Sequence, residues 1–277
     1  MPRPGPEHAE LAERYSLGLR LPAMSGLSGL MKGRGTGSSV EFQDHRKYFM
    51  GDDIRKLDWR AYARTDQLMV KRYREEVRPT LELLVDDSRS LAQGKAQRMV
   101  DLVAGLTRAA EADGFMVRLF SGARQLRSDE LMAAGLDFDS RMPLQELVQR
   151  AQSRLRPGSV RLLVSDFLSP HAATSVVRSL AAGAGMVGLI QVLSAWDASP
   201  QEDGALQLHD CETDELLDVV LDGPTVRLYM DRLKALTEAL REEARRSGGV
   251  FARVLADRAM DEQCSEVLVP HGLLAVR

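Results

Sequence analysis

A chain of 277 residues with 44% hydrophobic side chains can bury one good core and a small second lobe. Its formal net charge of -3 calls for no polyanion partner, and its two cysteines, Cys211 and Cys264, have no metal-type spacing and fit a reducing compartment. No window approaches the ~18 consecutive apolar residues of a membrane span, and "MPRPGPEHAELAERY" lacks a signal-type apolar stretch, so a cytoplasmic protein without membrane insertion is expected.

The charge is uneven. Residues 1–78 hold 15 Lys/Arg against 11 Asp/Glu, and the remainder is acidic. Residues 1–7 are Pro-rich and read as disordered, and "EHAELAERY" offers a short helix before Gly/Ser breaks. Residues 1–30 thus form a flexible or helical extension. "KGRGTGSS" (Lys32–Ser39) is a flexible loop without P-loop spacing or a preceding strand. The stretch from Tyr48 to Glu76 is dense in Asp and Arg and lacks a clean helical period.

From residue 67 the pattern is regular. "QLMVKRY" alternates as a strand, "TLELLVDD" (Thr80–Asp87) is an apolar core strand ending in acids, and Lys95–Asp113 has helical spacing. Then follow a strand "GFMVRLFSG", a helix "MPLQELVQRAQSRL", a strand "SVRLLVSDF", a helix "AATSVVRSLAAG" and a strand "GMVGLIQVLS". Residues 204–220 suggest a hairpin with "ETDE" as its turn. A long amphipathic helix, a strand "GVFARVLA" and a short acidic helix complete the chain. Alternating strands and helices predict an α/β fold, a mainly parallel sheet covered on both faces, with its ligand crevice at the carboxyl ends of the strands.

Two of those strands end in Asp, at Asp86 and Asp166. "DDSRS" (Asp86–Ser90) has the frame D-x-S-x-S, in which one carboxylate and two hydroxyls converge from a tight loop. Mg²⁺ takes about six hard oxygen ligands, and Asp166 supplies a second carboxylate from a neighbouring strand end. Ser and Asp after a strand are equally ordinary helix N-caps, so both readings stand at this point.

The D-x-S-x-S frame after an apolar strand resembles the first element of the metal-ion-dependent adhesion site of von Willebrand factor A domains, and Asp166 matches its third element. The stretch "GRGTGSSVEFQDHRKYFMGDDIRKLDWRAYARTDQLMVKRYREE" is similar to the segment that defines a bacterial family catalogued as domain of unknown function fifty-eight. Tyr48, Gly51, Asp52, Asp53, Arg55, Asp58, Trp59, Arg64, Thr65 and Glu76 fit its pattern, with Leu57 in place of the usual Ile. The resemblance implies a von Willebrand A-like, Rossmann-like domain over residues 79–277. A family-specific segment, residues 31–78, then packs on that domain. It also implies a metal site of Asp86, Ser88, Ser90 and Asp166, for Mg²⁺ or another divalent cation. Von Willebrand A sites add a Thr from a middle loop. Met142 stands there, a thioether unsuited to Mg²⁺, and Ser140 is a weak substitute.

Members of that family are similar to the von Willebrand A partners of MoxR-type AAA+ ATPases, which implies a non-catalytic adaptor joining such an ATPase to a client protein. Two rivals are weighed. A metal-dependent hydrolase would use Asp86 and Asp166, yet His8, His45, His171, His209 and His271 are scattered and form no catalytic grouping. Nucleic-acid binding would use the bases of residues 46–78, but acids interleave with them, as ion pairing requires. The adaptor reading therefore excludes nucleic acid as a partner. Within the segment, Asp52, Asp53 and Asp58 are expected to pair with Arg55, Arg60 and Arg64, while Trp59 and Tyr48 anchor it against the domain.

Overall fold

A strand covered on both faces needs an apolar side chain at almost every position, and three segments of this chain supply that run. In the computed structural model these strands are central to the sheet. Residues 1–19, 40–75, 78–168, 173–201, 204–211 and 214–277 are described; the Lys32–Ser39 loop and Glu76 lie outside them.

In chain order the elements begin with α1 (Glu7–Arg14), β1 (Tyr15–Leu17), β2 (Val40–Lys47), α2 (Trp59–Thr65), β3 (Met69–Glu75) and β4 (Thr80–Val85). There follow α3 (Ala96–Ala112), β5 (Met116–Ser121), β6 (Arg124–Leu126), α4 (Ser128–Ala134), α5 (Leu144–Gln152), β7 (Val160–Ser165) and α6 (Ala173–Ala181). The last are β8 (Met186–Leu193), α7 (Ala195–Ala198), β9 (Gly204–His209), β10 (Leu216–Leu221), α8 (Gly223–Arg246), β11 (Val250–Leu255), α9 (Met260–Gln263) and β12 (Leu274–Val276).

The main sheet has six strands in the order β11-β8-β7-β4-β5-β6, parallel except for the antiparallel edge pair β5–β6. The expected α/β class holds. Side chains alternate across it, as the period of two requires. Leu81, Leu83, Val85, Leu162 and Val164 pack into one apolar cluster with α3, whereas Leu84, Leu163, Leu189 and Phe251 pack into the other with α5, α6 and α8. The hairpin at residues 204–220 is a separate two-stranded ribbon of β9 and β10, and its "ETDE" turn is only partly within the described residues.

Two compact units divide the chain: Met1–Pro22 with Pro79–Arg277, and Ala23–Arg78. The first residues are no loose extension. Leu11, Tyr15, Leu17 and Leu19 are buried in the core cluster that holds α3. The Gly5 amide donates to Asp101 Oδ1 at 2.6 Å, and the Leu136 amide donates to the Pro2 carbonyl at 3.3 Å. The disorder expected for residues 1–7 gives way to docking because α1 has an apolar stripe to bury. Gly105 allows the approach: a Cβ there would lie 2.9 Å from a Leu11 methyl carbon. β1 then pairs antiparallel with β12, Tyr15 opposite Val276 and Leu17 opposite Leu274.

The smaller unit is an antiparallel pair, β2 and β3, with a register shift between Phe42 and Asp44, joined through a 3-10 turn at Ile54–Lys56 and α2. Its charges pair differently from the sequence expectation. Asp52 takes a two-pronged ion pair from Arg46, at 2.5 and 2.7 Å, and the Phe49 amide at 2.9 Å. The Arg46 bond, with that amide, holds the Asp52 carboxyl below its ordinary value. Asp53 and Asp58 meet Arg55 and Arg60 through backbone N–H groups: Asp53 caps the 3-10 turn, and Asp58 caps α2 by accepting from Arg60 N and Ala61 N. The His45 ring also bonds Asp58, at 2.7 Å. Arg64 reaches the Arg60 carbonyl at 3.3 Å and the Thr65 hydroxyl the Ala61 carbonyl at 2.8 Å, both closing turns of α2. Gly51 takes φ +104°, which favours glycine. Tyr48 is half-buried, while Trp59 is 63% exposed and stands edge-on to Tyr62. The expected tryptophan anchor is thus replaced by a helix-capping carboxylate as the buried polar feature of this unit.

Asp58→Ala removes both cap bonds and the His45 partner, and is expected to cost about 1–2 kcal/mol. Asp58→Asn, which keeps an accepting cap oxygen, should retain most of that stability. Denaturant titration of the two variants beside the wild type distinguishes them.

Candidate functional site

The parallel strands end along one edge of the sheet, and their order dictates which ends meet. From β4 the chain moves outward to β5, then returns across β4 to β7 on the other side. The order reverses between β4 and β7, and a crevice forms at the carboxyl ends of such a pair. Asp86 follows β4 and Asp166 follows β7, so the sequence places its two acids at this position.

The structure brings the D-x-S-x-S residues together there. Asp86 is buried; its Oδ1 accepts from the Ser88 amide at 3.0 Å and its Oδ2 from the Ser165 hydroxyl at 2.6 Å. The hydroxyls of Ser88 and Ser90 bond each other at 3.1 Å, and Ser90 Oγ donates to Asp166 Oδ2 at 3.5 Å. Asp166 Oδ1 accepts from the Leu168 amide at 3.1 Å, and Gln191 fixes the Asp166 carbonyl at 2.9 Å. The helix-cap alternative is not what Ser88 does: it precedes the 3-10 turn Arg89–Ala92 without a side-chain cap bond.

Ser140 arrives from the middle loop, forming a parallel bridge with Ser88 while its carbonyl accepts from the Arg89 amide at 3.2 Å. Its Oγ accepts from the Met142 amide at 3.1 Å, and Met142 packs against the apolar cluster of α5 and α6. The loop therefore presents Ser140 beside the site, with Met142 turned to packing.

Two residues absent from the sequence reading complete the cluster. Lys95, just before α3, is buried, and its Nζ donates to Asp166 Oδ2 at 2.8 Å and to Asp197 Oδ2 at 3.0 Å. Asp197 follows β8, so a third strand end also contributes an acid; its place is fixed by a reciprocal cap with Ser194. The Tyr229 hydroxyl of α8 donates to the Asp197 carbonyl at 2.7 Å, and burial followed by the Asp197 charge pushes that phenol up to about 12. A signal for Asp197 was present in "LSAWD", where a capping serine stands three residues before an acid after a strand.

Burial first, and then the charge of Asp166, push Asp86 up to about 6, against the opposing bonds from Ser165 and Ser88. Burial acts to lower the Lys95 pKa, but Asp166 and Asp197 outweigh it and the net shift is upward. Two carboxylates and two hydroxyls are hard donors of the type Mg²⁺ takes, and Asp86, Ser88, Ser90 and Asp166 are the residues that would hold it. One of those oxygens, Asp166 Oδ2, is already bonded to an ammonium.

At the rim, Arg89 and Arg141, each adjacent to a site serine, both reach Asp214 between β9 and β10, at 3.5 and 2.7 Å. Arg141, followed by Arg89, lowers the Asp214 pKa. The rim thus binds a carboxylate within its own chain. Among the described residues, no helix is long and apolar enough to cross a membrane.

No curated protein matches this chain. The conserved hypothetical protein BatB from Bacteroides thetaiotaomicron is similar at 12% identity and a TM-score of 0.43, over 68% of this chain and 95% of that one. An aerotolerance-related membrane protein from Bacteroides fragilis, solved with multiple mutations to serines, is similar at 13% identity and a TM-score of 0.40, over 68% and 96%. The fold assignment rests on the strand order alone. The family model described as "Protein of unknown function DUF58" matches residues 44–126, a span that contains both the Asp/Arg-rich segment and Asp86–Ser90. Over that span this chain is similar to that family.

Proposed function

We propose that this chain is a protein-docking module whose strand-end loops receive an acidic segment of a partner, and that it serves as an adaptor between a MoxR-type AAA+ ATPase and a client protein. The observation that carries this reading is the convergence of Asp86, Ser88, Ser90 and Asp166 at the reversal of strand order, beneath a rim where Arg89 and Arg141 already bind the Asp214 carboxylate. Paired guanidinium groups on a half-exposed rim suit a carboxylate ligand and set orientation more than affinity. The family resemblance supplies the class of partner. Work without catalysis and a cytoplasmic setting belong to the same reading.

The test is calorimetric titration of the purified chain with a MoxR-type ATPase from the same organism. Arg89→Ala/Arg141→Ala and Ser90→Ala should each weaken binding at least about tenfold with unchanged melting temperature. Undiminished binding by both variants removes the strand-end loops as the docking surface. Repeating the titration with a chelator present reads any divalent-ion requirement of the complex.

A further inference from the structure

The cluster at the strand ends is closed by hydrogen bonds of its own. Both oxygens of Asp86 and both of Asp166 have protein donors, and Ser88, Ser90 and Ser140 have partners. Among the described residues, no buried side-chain nitrogen or oxygen lacks one. Among the described residues, the positive group bonded within this arrangement is Lys95, 4% exposed at its side chain, with its ammonium shared between Asp166 and Asp197 from two different strand ends. An ammonium offers three donors and one charge at a point, which is also how a small cation ties carboxylates together. It differs from a metal in being covalently attached and therefore always present.

We infer that the Lys95 ammonium is the resident cation of this strand-end cluster, occupying the role expected of a divalent ion, and that a neutral side chain at position 95 leaves Asp166 and Asp197 free to share a divalent cation in its place. Two carboxylates that faced one ammonium remain when the lysine charge is removed, and a hard divalent ion satisfies them better than water does. Docking of a protein partner does not depend on this inference: a wild-type chain that binds no metal can still bind its partner through Arg89 and Arg141.

Mn²⁺ titration of the full chain, followed by calorimetry and by the electron paramagnetic resonance of free Mn²⁺, tests it. Wild type should show no saturable binding up to about 1 mM. Lys95→Met should bind at least about tenfold more tightly, and adding Asp166→Asn to that variant should abolish the gain. Should Lys95→Met be unfolded in metal-free buffer, recovery of its circular dichroism spectrum on adding Mn²⁺ supports the inference, and failure to recover overturns it. A folded Lys95→Met that gains no Mn²⁺ affinity overturns it. So does sub-millimolar binding by wild type that Asp86→Ala removes.

Discussion

Glu82→Gln should unfold at a markedly lower urea concentration than the wild type, with a loss of about 3–5 kcal/mol. Glu82 lies in β4, fully buried, near the opposite end of the sheet from Asp86. Its carboxylate accepts from Arg118 Nη1 at 2.6 Å, from the Arg156 amide at 2.9 and 3.1 Å, and from the Ser159 hydroxyl at 2.7 Å. Arg161, itself buried, stands 3.5 Å from the same group. Burial pushes the Arg161 pKa down and Glu82 opposes that shift, so a neutral glutamine leaves the buried guanidinium with carbonyl partners at Leu180, Ala182 and Arg156 but no counter-charge. The glutamine amide also points a donor where the Arg156 amide and Ser159 already donate. Glu82→Leu combined with Arg161→Leu should lose less than the sum of the two single changes, because Arg161 is no longer left buried without its counter-charge, while Arg118 still loses its acceptor. A single-variant cost below about 1 kcal/mol would show that water reaches Arg161 and that the network contributes little.

Asp86→Asn is expected to stabilise the chain at pH 7.5, by about 1–3 kcal/mol in chelator-containing buffer. The sign follows from the direction of the shift. Asp86 is raised from 3.8 to about 6 in the folded protein, so the folded state holds this proton more tightly than the unfolded one. The stability contributed by the protonated carboxyl is complete below pH 3.8 and is lost as pH rises through about 6. Above that, the ionised and buried Asp86 works against the fold. Asparagine removes the charge, can still accept from the Ser88 amide, and can donate to Ser165 Oγ. Urea midpoints taken from pH 4 to pH 8 should show wild type and variant closest at the acid end, separating as pH rises from 3.8 to about 6, with a constant gap above that. A variant less stable than wild type at pH 7.5 would mean that the Asp86 charge is compensated by a cation.

Much of this architecture can be read in the sequence because parallel strands covered on both faces announce themselves. Thr80–Val85, Val160–Ser165 and Met186–Leu193 are almost uninterrupted apolar runs, and the acids that follow the first two mark the edge where function gathers. The D-x-S-x-S residues and Asp166 met as expected because neighbouring parallel strands end side by side. Lys95 escaped notice since a lysine at the start of an amphipathic helix looks like any solvated charge; only the fold shows its ammonium turned inward. In the smaller unit, Asp58 looked like half of an ion pair. The backbone N–H groups at the start of α2 are obligatory donors, and they claimed the carboxylate before a distant arginine could. Three-residue β1 and β12 carry too little pattern to be predicted, and the partner of each lies at the far end of the chain.

That last pairing bears on how the protein folds. Tyr15 and Leu17 pair with Val276 and Leu274, and Ser16 and Ala275 stand 259 residues apart in the chain. Until those two segments meet, the folding chain carries an apolar edge that local contacts cannot hide. Arg277 donates its amide to the Arg14 carbonyl and its guanidinium to Asp113 at 2.9 Å, so the fastening of β1 is a contact of high sequence separation and belongs to the slow part of folding.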